Sequence, residues 1–243
     1  MRLTRVYVDG PVTLGEPLTV EGSAANHITR VLRLRVGDPL TVFDGSGGEF
    51  GARIEEFRKD TVRVCVDEHR ELDRESPLSL TLMQGISRGE RMDWVIQKAT
   101  ELGTSRIVPV FTKRSVVRLD DRQVDKKLQH WRGVAVAACE QCGRNRVPEV
   151  TAPKDFFDAL PPEHLGTARI LLSPAGSLRI DDLQGHGAGI SVLIGPEGGL
   201  EDTEQEAALA AGFKAVRLGP RILRTETAAI AALTIIQRYF GDL

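Results

Sequence analysis

No apolar run in the 243-residue sequence approaches the ~20 residues that a membrane-spanning helix requires. The opening residues, MRLTRVYVDG, lack the apolar middle of a signal peptide, and cytoplasm is the expected compartment. Cysteine is scarce: three residues are too few for a disulfide-built scaffold and suit a reducing environment. Cys139 and Cys142 form a C-x-x-C, yet no second pair and no histidine at ligand spacing accompany them. No metal is expected, and the two thiols read as small, semi-buried side chains near a helix end.

What is present is ordinary in bulk and uneven in detail. Hydrophobic residues make up 41% and charged residues 27%, as in soluble globular proteins, and the length allows one large domain or two modest ones. The formal net charge is −2, but residues 76–146 carry 13 basic and seven acidic side chains, leaving both flanks acidic. A basic middle suits a polyanionic partner, and it equally suits a solvated helix face.

The pattern changes once along the chain. RVYVDG, LTVEG, PLTVFDG, EFGARIEEF and TVRVCVDEH are short β-rich runs between Gly, Asp and Pro turns. One helix interrupts them, with Ser23 as the expected N-cap and Ile28, Val31 and Leu32 on one face. Many strands with one helix predict a small barrel over 1–73, closed by the polar stretch ELDRESP. From 74 to 243, strands alternate with helices, which predicts a parallel α/β sheet. Met92, Val95, Ile96, Ala99 and Leu102 mark one helix face, a long helix runs from Asp120 towards Cys142, and PKDFFDAL reads as a further helix.

Two late loops each follow a strand. SVLIGPEGGLEDTE is an uninterrupted apolar strand, then a glycine-rich turn, then a helix capped by Asp202 or Thr203. VRLGPRILRTETAAIAAL leads another strand into a helix that is apolar nearly all round and so must be buried in the core or against a second subunit. In open α/β sheets ligands bind beyond the carboxyl ends of such strands. The turn lacks the phosphate-binding lysine of G-x-x-x-x-G-K-[ST], and Glu197 would repel a polyphosphate. A neutral or cationic ligand with hydrogen-bond donors fits better, although Gly-Pro-x-Gly-Gly is also simply a favourable turn. A hydrolase or phosphotransferase that uses nucleotides is therefore disfavoured, while an RNA-binding protein with an inert pocket remains a rival.

These two loops resemble the signature of the trefoil-knotted SPOUT RNA methyltransferases. NHITRVLRLRVGD, VFDGSGGEF, IQKATELGTSRIVPVFTKRSV and EQCGRNRVPEV extend the likeness over nearly the whole chain. Within that superfamily the chain is most similar to the branch that methylates N3 of a uridine in 16S rRNA. Cys139 and Leu200 depart from the small and aromatic residues expected there. The resemblance implies an N-terminal PUA-like β-barrel that binds RNA, a knotted C-terminal domain, S-adenosyl-L-methionine as donor, and a homodimer through the knotted domain. Carried over by position, the cofactor would be held by Leu172, Ser173, Pro174 and Ala175, and by Ile194, Gly195, Pro196, Glu197, Gly198 and Gly199. Leu218, Gly219, Ile222, Leu223, Arg224, Thr225 and Ala228 would complete the pocket.

The chemistry implied needs a group that removes the proton from uridine N3. Glu226 and Glu140 are the candidate bases, with Arg224, Arg144 and Asn145 as candidate stabilisers of the uridinate. For the small ribosomal subunit and its rRNA, the expected phosphate contacts are Arg88, Arg91, Lys98, Lys113, Arg114, Arg118, Lys126 and Lys127. His27, Arg30, Arg33 and Arg35 would help from the barrel.

Overall fold

The structure is a computed structural model that describes residues 4–115, 120–160, 168–183 and 189–243; Arg118, among the expected phosphate contacts, lies outside them. The chain forms two compact units, one of Met1–Glu75 with Cys139–Val147, the other of Ser76–Ala138 with Pro148–Leu243.

The first unit contains β1 (Arg5–Tyr7), β2 (Pro17–Val20), α1 (Gly22–Asn26), β3 (Pro39–Phe43), β4 (Glu49–Phe57) and β5 (Val62–Arg70). Its sheet has the order β1-β3-β4-β5-β2, with β1 parallel to β3 and the other pairs antiparallel. Alternation shapes β5: Val62, Val64 and Val66 are buried, while Arg63 and Cys65 between them are half-buried. Leu40, Val42, Ile54 and Ile28 complete the core beneath.

The helix of this unit differs from expectation. Its N-cap is Glu21, not Ser23, and it lasts only five residues before a π turn over His27–Val31. The Leu32 N–H donates to the His27 carbonyl (2.9 Å), a five-residue step. That wider step rotates Val31 off the face that buries Ile28 and leaves it 67% exposed.

The segment 139–147 is bound into this unit by polar contacts. Glu140 Oε1 accepts the Tyr7 N–H (3.0 Å), and Arg5 donates to the Arg144 carbonyl (3.0 Å) and to Asn145 Oδ1 (2.6 Å). Arg144 is buried and ion-paired with Glu75, and Asn145 Nδ2 donates to the Leu72 carbonyl (2.9 Å). Glu140, Arg144 and Asn145 thus have partners that hold chain to chain. Cys139 is fully buried, and burial pushes its thiol up to about 12, which leaves it inert.

The second unit is a parallel sheet covered by helices. It contains β6 (Leu80–Gly85), α2 (Glu90–Glu101), β7 (Arg106–Phe111), α3 (Asp121–Cys142) as far as Ala138, β8 (Glu149–Val150), β9 (Lys154–Asp155) and α4 (Phe156–Ala159). Then come β10 (Ala168–Leu172), β11 (Ile190–Ile194), α5 (Asp202–Ala210), β12 (Lys214–Val216) and α6 (Thr225–Phe240). The strand order is β12-β10-β11-β6-β7-β8, with β9 also beside β7. β11 therefore lies between β10 and the much earlier β6. Every pairing is parallel, so the carboxyl ends of β6, β10, β11 and β12 share one edge.

Helical faces follow the 3.6-residue period. Met92, Val95, Ile96 and Ala99 are buried on α2, with Gly103 ending it at φ 76°, and Leu128, Trp131, Ala135 and Ala138 are buried on α3. Two local expectations are corrected. The PKDFFDAL stretch begins as β9, because Lys154 and Asp155 pair with Val110 and Phe111, and only Phe156–Ala159 is helical. The cap of α5 is Glu201, whose N–H donates to Glu204 Oε2 (2.9 Å); Glu204 is fully buried because its other oxygen accepts the Lys113 N–H (2.9 Å). α6 buries Ala229, Ala232, Leu233 and Ile236, while Ile230, Ala231 and Ile235 stay half-exposed. No helix among the described residues is long and apolar enough to cross a membrane.

Candidate active site

Three loops leave the shared strand edge and enclose a cleft of about 750 Å³ within the second unit. After β10 come Leu172 to Ala175, after β11 Ile194 to Gly199, and after β12 the long turn into α6. Every residue carried over to the cofactor pocket lines this cleft, as do Arg224 and Glu226 from the catalytic set.

A buried pin joins two of the loops. β6 pairs with β11 so that Gln84 stands opposite Ile194, the last residue before the glycine-rich turn. The fully buried Gln84 donates through Nε2 to Thr225 Oγ1 (2.9 Å), and Thr225 Oγ1 donates to the Gly195 carbonyl (2.7 Å). The start of α6 is thereby fastened to the turn after β11. Thr225→Val keeps the shape and removes the hydroxyl, taking a donor from the Gly195 carbonyl and one of two close acceptors from Gln84 Nε2. It should cost ~1–3 kcal/mol of stability, read from urea unfolding of the variant against the parent.

Glu197 answers its own puzzle through a neighbour. Its Oε1 accepts the Arg88 N–H (3.0 Å) and Arg91 Nη1 (2.7 Å), from the loop before α2 and its first turn. Partial burial works against ionisation, but backbone N–H groups of Glu197 and Arg88 and the Arg91 guanidinium outweigh it and hold the carboxyl below the usual range. The pair therefore persists to lower pH than an ordinary carboxylate would allow. Arg91 also reaches the third loop, its Nε standing 4.0 Å from Glu226 Oε1. Glu226 Oε2 is buried without a hydrogen-bond partner. One guanidinium thus faces carboxylates from two loops, and one carboxylate oxygen is left with its lone pairs unused.

The expected phosphate contacts divide. Lys113 and Arg114 follow β7 beside the glycine-rich turn, Arg114 Nη1 donating to the Gly198 carbonyl (3.4 Å). Arg88 and Arg91 bind Glu197, while His27, Arg30, Arg33 and Arg35 belong to the first unit. Of the five catalytic candidates, Glu226 and Arg224 line the cleft, and Glu140, Arg144 and Asn145 belong to the first unit, engaged there as described above.

A model of an RNA methyltransferase domain matches residues 74–237, and one of an RNA methyltransferase PUA domain matches residues 20–65. The ribosomal RNA small subunit methyltransferase E of Buchnera aphidicola from Schizaphis graminum is 34% identical over 242 residues, covering 100% of this chain and 98% of that protein. The chain belongs to this RNA methyltransferase family. The enzyme of the same name from Bacillus subtilis is 34% identical over 90% of the chain and 88% of its own length. The Neisseria gonorrhoeae enzyme, solved bound to S-adenosyl methionine, superposes with a TM-score of 0.92 at 36% identity, covering both chains fully. A Legionella pneumophila protein solved with bound SAM gives 0.95 at 40% identity, again over both chains.

Sequence reasoning missed Gln205 and Arg217 in the cleft wall, and it missed Gln84 beneath. Gln84 did leave a signal, being a lone amide near the end of the apolar run LSLTLMQG. Gln205 left none, because its nearness to Ser173 depends on how α5 lies on β10.

Proposed function

We propose that this methyltransferase acts on N3 of a specific uridine in the 16S rRNA of the small ribosomal subunit, with S-adenosylmethionine as donor. The 1–73 domain binds RNA as a PUA-like β-barrel, and the 74–243 domain carries a trefoil knot and dimerises. The insertion of β11 between β10 and β6 supports the knot, and the half-exposed Ile230, Ala231 and Ile235 on α6 support a partner subunit.

The observation that carries the reading is the cleft that the three loops enclose at one edge of the parallel sheet, lined by Glu197 and Glu226 together with Arg91, Arg217, Arg221 and Arg224. Walls of both signs suit a zwitterionic donor, whose sulfonium and ammonium can meet carboxylates while its own carboxylate meets a guanidinium. Leu172–Ala175, Ile194–Gly199 and Leu218–Ala228 would hold it. When bound, it supplies a methyl group made electrophilic by the sulfonium. The protein's own residues do the rest. The loops align acceptor and donor, an effect able to remove ~7–11 kcal/mol of barrier. Glu226 takes the N3 proton through the oxygen that lacks a partner, typically worth ~10²–10⁴-fold. Arg224, at the N-cap of α6, balances charge on the uridinate. Positioning contributes more than proton removal.

The decisive experiment incubates the protein and labelled donor with 30S particles that lack the modification, then maps the methylated base. Label on uridine N3 supports the assignment; label on another base or a ribose oxygen overturns it. Affinity for 16S rRNA should fall roughly 10²–10³-fold between 50 and 200 mM salt if about five phosphates are contacted, measurable by filter binding.

A further inference from the structure

The arginines of the first unit fall into two groups. Arg5, Arg53, Arg58, Arg63, Arg70, Arg74 and Arg144 each stand in an ion pair with a carboxylate. Among the described residues, Arg146 stands in no such pair, and neither do Arg30, Arg33 and Arg35; all four are exposed, and the last three form a cluster. These three lie within six residues, directly on and after the π turn over His27–Val31.

The same stretch holds the unit's backbone strain. Arg33 is the one non-glycine residue with positive φ among those described, at 53°. An L-residue with a Cβ is disfavoured there, and glycine would relieve it. Val31 and Val36, on either side, are 67% and 63% exposed. Strained non-glycine residues and π turns concentrate at functional sites, where a side chain is needed at a position that local energetics oppose.

We propose that Arg30, Arg33 and Arg35, with Val31 between them, form the phosphate-docking surface by which the first unit grips ribosomal RNA. The proposal rests on the RNA-binding reading of that unit and names the residues responsible. Guanidinium groups free of carboxylate partners can each neutralise a phosphate, and the exposed Val31 offers an apolar contact to the sugar–base face beside them. A polyanion is the occupant because three unbalanced cations lie within one turn and a half of chain.

The test uses the full chain, a 16S rRNA transcript and four variants. Arg33→Gly keeps the left-handed backbone and removes the guanidinium; Arg33→Ala removes the guanidinium and keeps the strain. Both should bind the transcript more weakly, with a salt slope shallower by roughly 0.7–0.9, while Arg33→Gly melts no lower than the parent. Arg30→Ala/Arg35→Ala together should flatten the slope by about twice as much. Arg58→Ala, an exposed arginine of the same unit paired with Glu56, should bind as the parent does. If Arg33→Gly retains the parent's affinity and slope, the strain is purely local and the docking surface is overturned. If the parent itself binds without salt dependence, the RNA-binding reading of the unit fails first.

Discussion

Glu226→Gln is expected to lower the single-turnover rate of methyl transfer by about 10²–10⁴-fold while leaving donor affinity within a few-fold of the parent. The amide matches the carboxylate in shape, so the cleft keeps its outline and the first turn of α6 keeps its hydrogen bonds. What disappears is the capacity to accept a proton. Glu226 is the residue to remove because its Oε2 is buried without a partner, whereas Glu197 Oε1 already serves Arg88 and Arg91. The charged groups lining the cleft around it are Arg91 from α2, Glu197 from the turn after β11, and Arg217, Arg221 and Arg224 from the third loop. Calorimetry with S-adenosylmethionine and rapid-quench assays on unmodified 30S particles read the two quantities separately. A rate unchanged across the whole pH range would remove Glu226 as the base; a matching loss of donor affinity would make it a binding residue instead.

Gly85→Ala should be nearly as damaging by a wholly different route. A Cβ placed on Gly85 would stand 2.5 Å from the Pro196 nitrogen and 2.6 Å from its Cδ. These atoms belong to the backbone and the proline ring, so no flexible side chain can swing aside. The end of β6 and the glycine-rich turn would have to separate, at a cost of ~1–3 kcal/mol for such overpacking. The turn also closes through Gly199, at φ 70°, whose N–H donates to the Pro196 carbonyl (2.9 Å). Displacing Pro196 therefore moves a whole wall of the cleft and strains the Thr225 pin. Donor affinity should drop at least tenfold and the melting temperature should fall, whereas Gly133→Ala, with open space at its Cβ, should leave affinity intact. Unaltered donor binding by Gly85→Ala would mean that the turn after β11 is not part of the donor site.

Much of this was legible in the residues. The strand alternation of β5, the apolar stripe of α2, the long α3 and the strand-loop-helix grammar around residues 194 and 218 all follow from local periodicity. Parallel pairing then puts loops that follow strands on one edge, which locates the turns after β11 and β12, while the individual cleft residues come from the resemblance. Caps were less legible: Glu201 displaced Asp202 and Thr203 because Glu204 is drawn inward by the Lys113 N–H, ninety-one residues away along the chain. Val31 went astray because a π turn changes the period that places residues on a face.

Order along the chain, element type and the identity of the loop residues are set by short-range patterns that depend on periods of two and 3.6 residues. Which strands become neighbours is decided by the packed sheet alone. Only the insertion of β11 between β10 and β6 brings Gln84 to Thr225, Arg91 to both Glu197 and Glu226, and Gly85 against Pro196. Those contacts join residues about 106 to 141 positions apart, and no local signal carries a relation that forms only when the sheet closes over it.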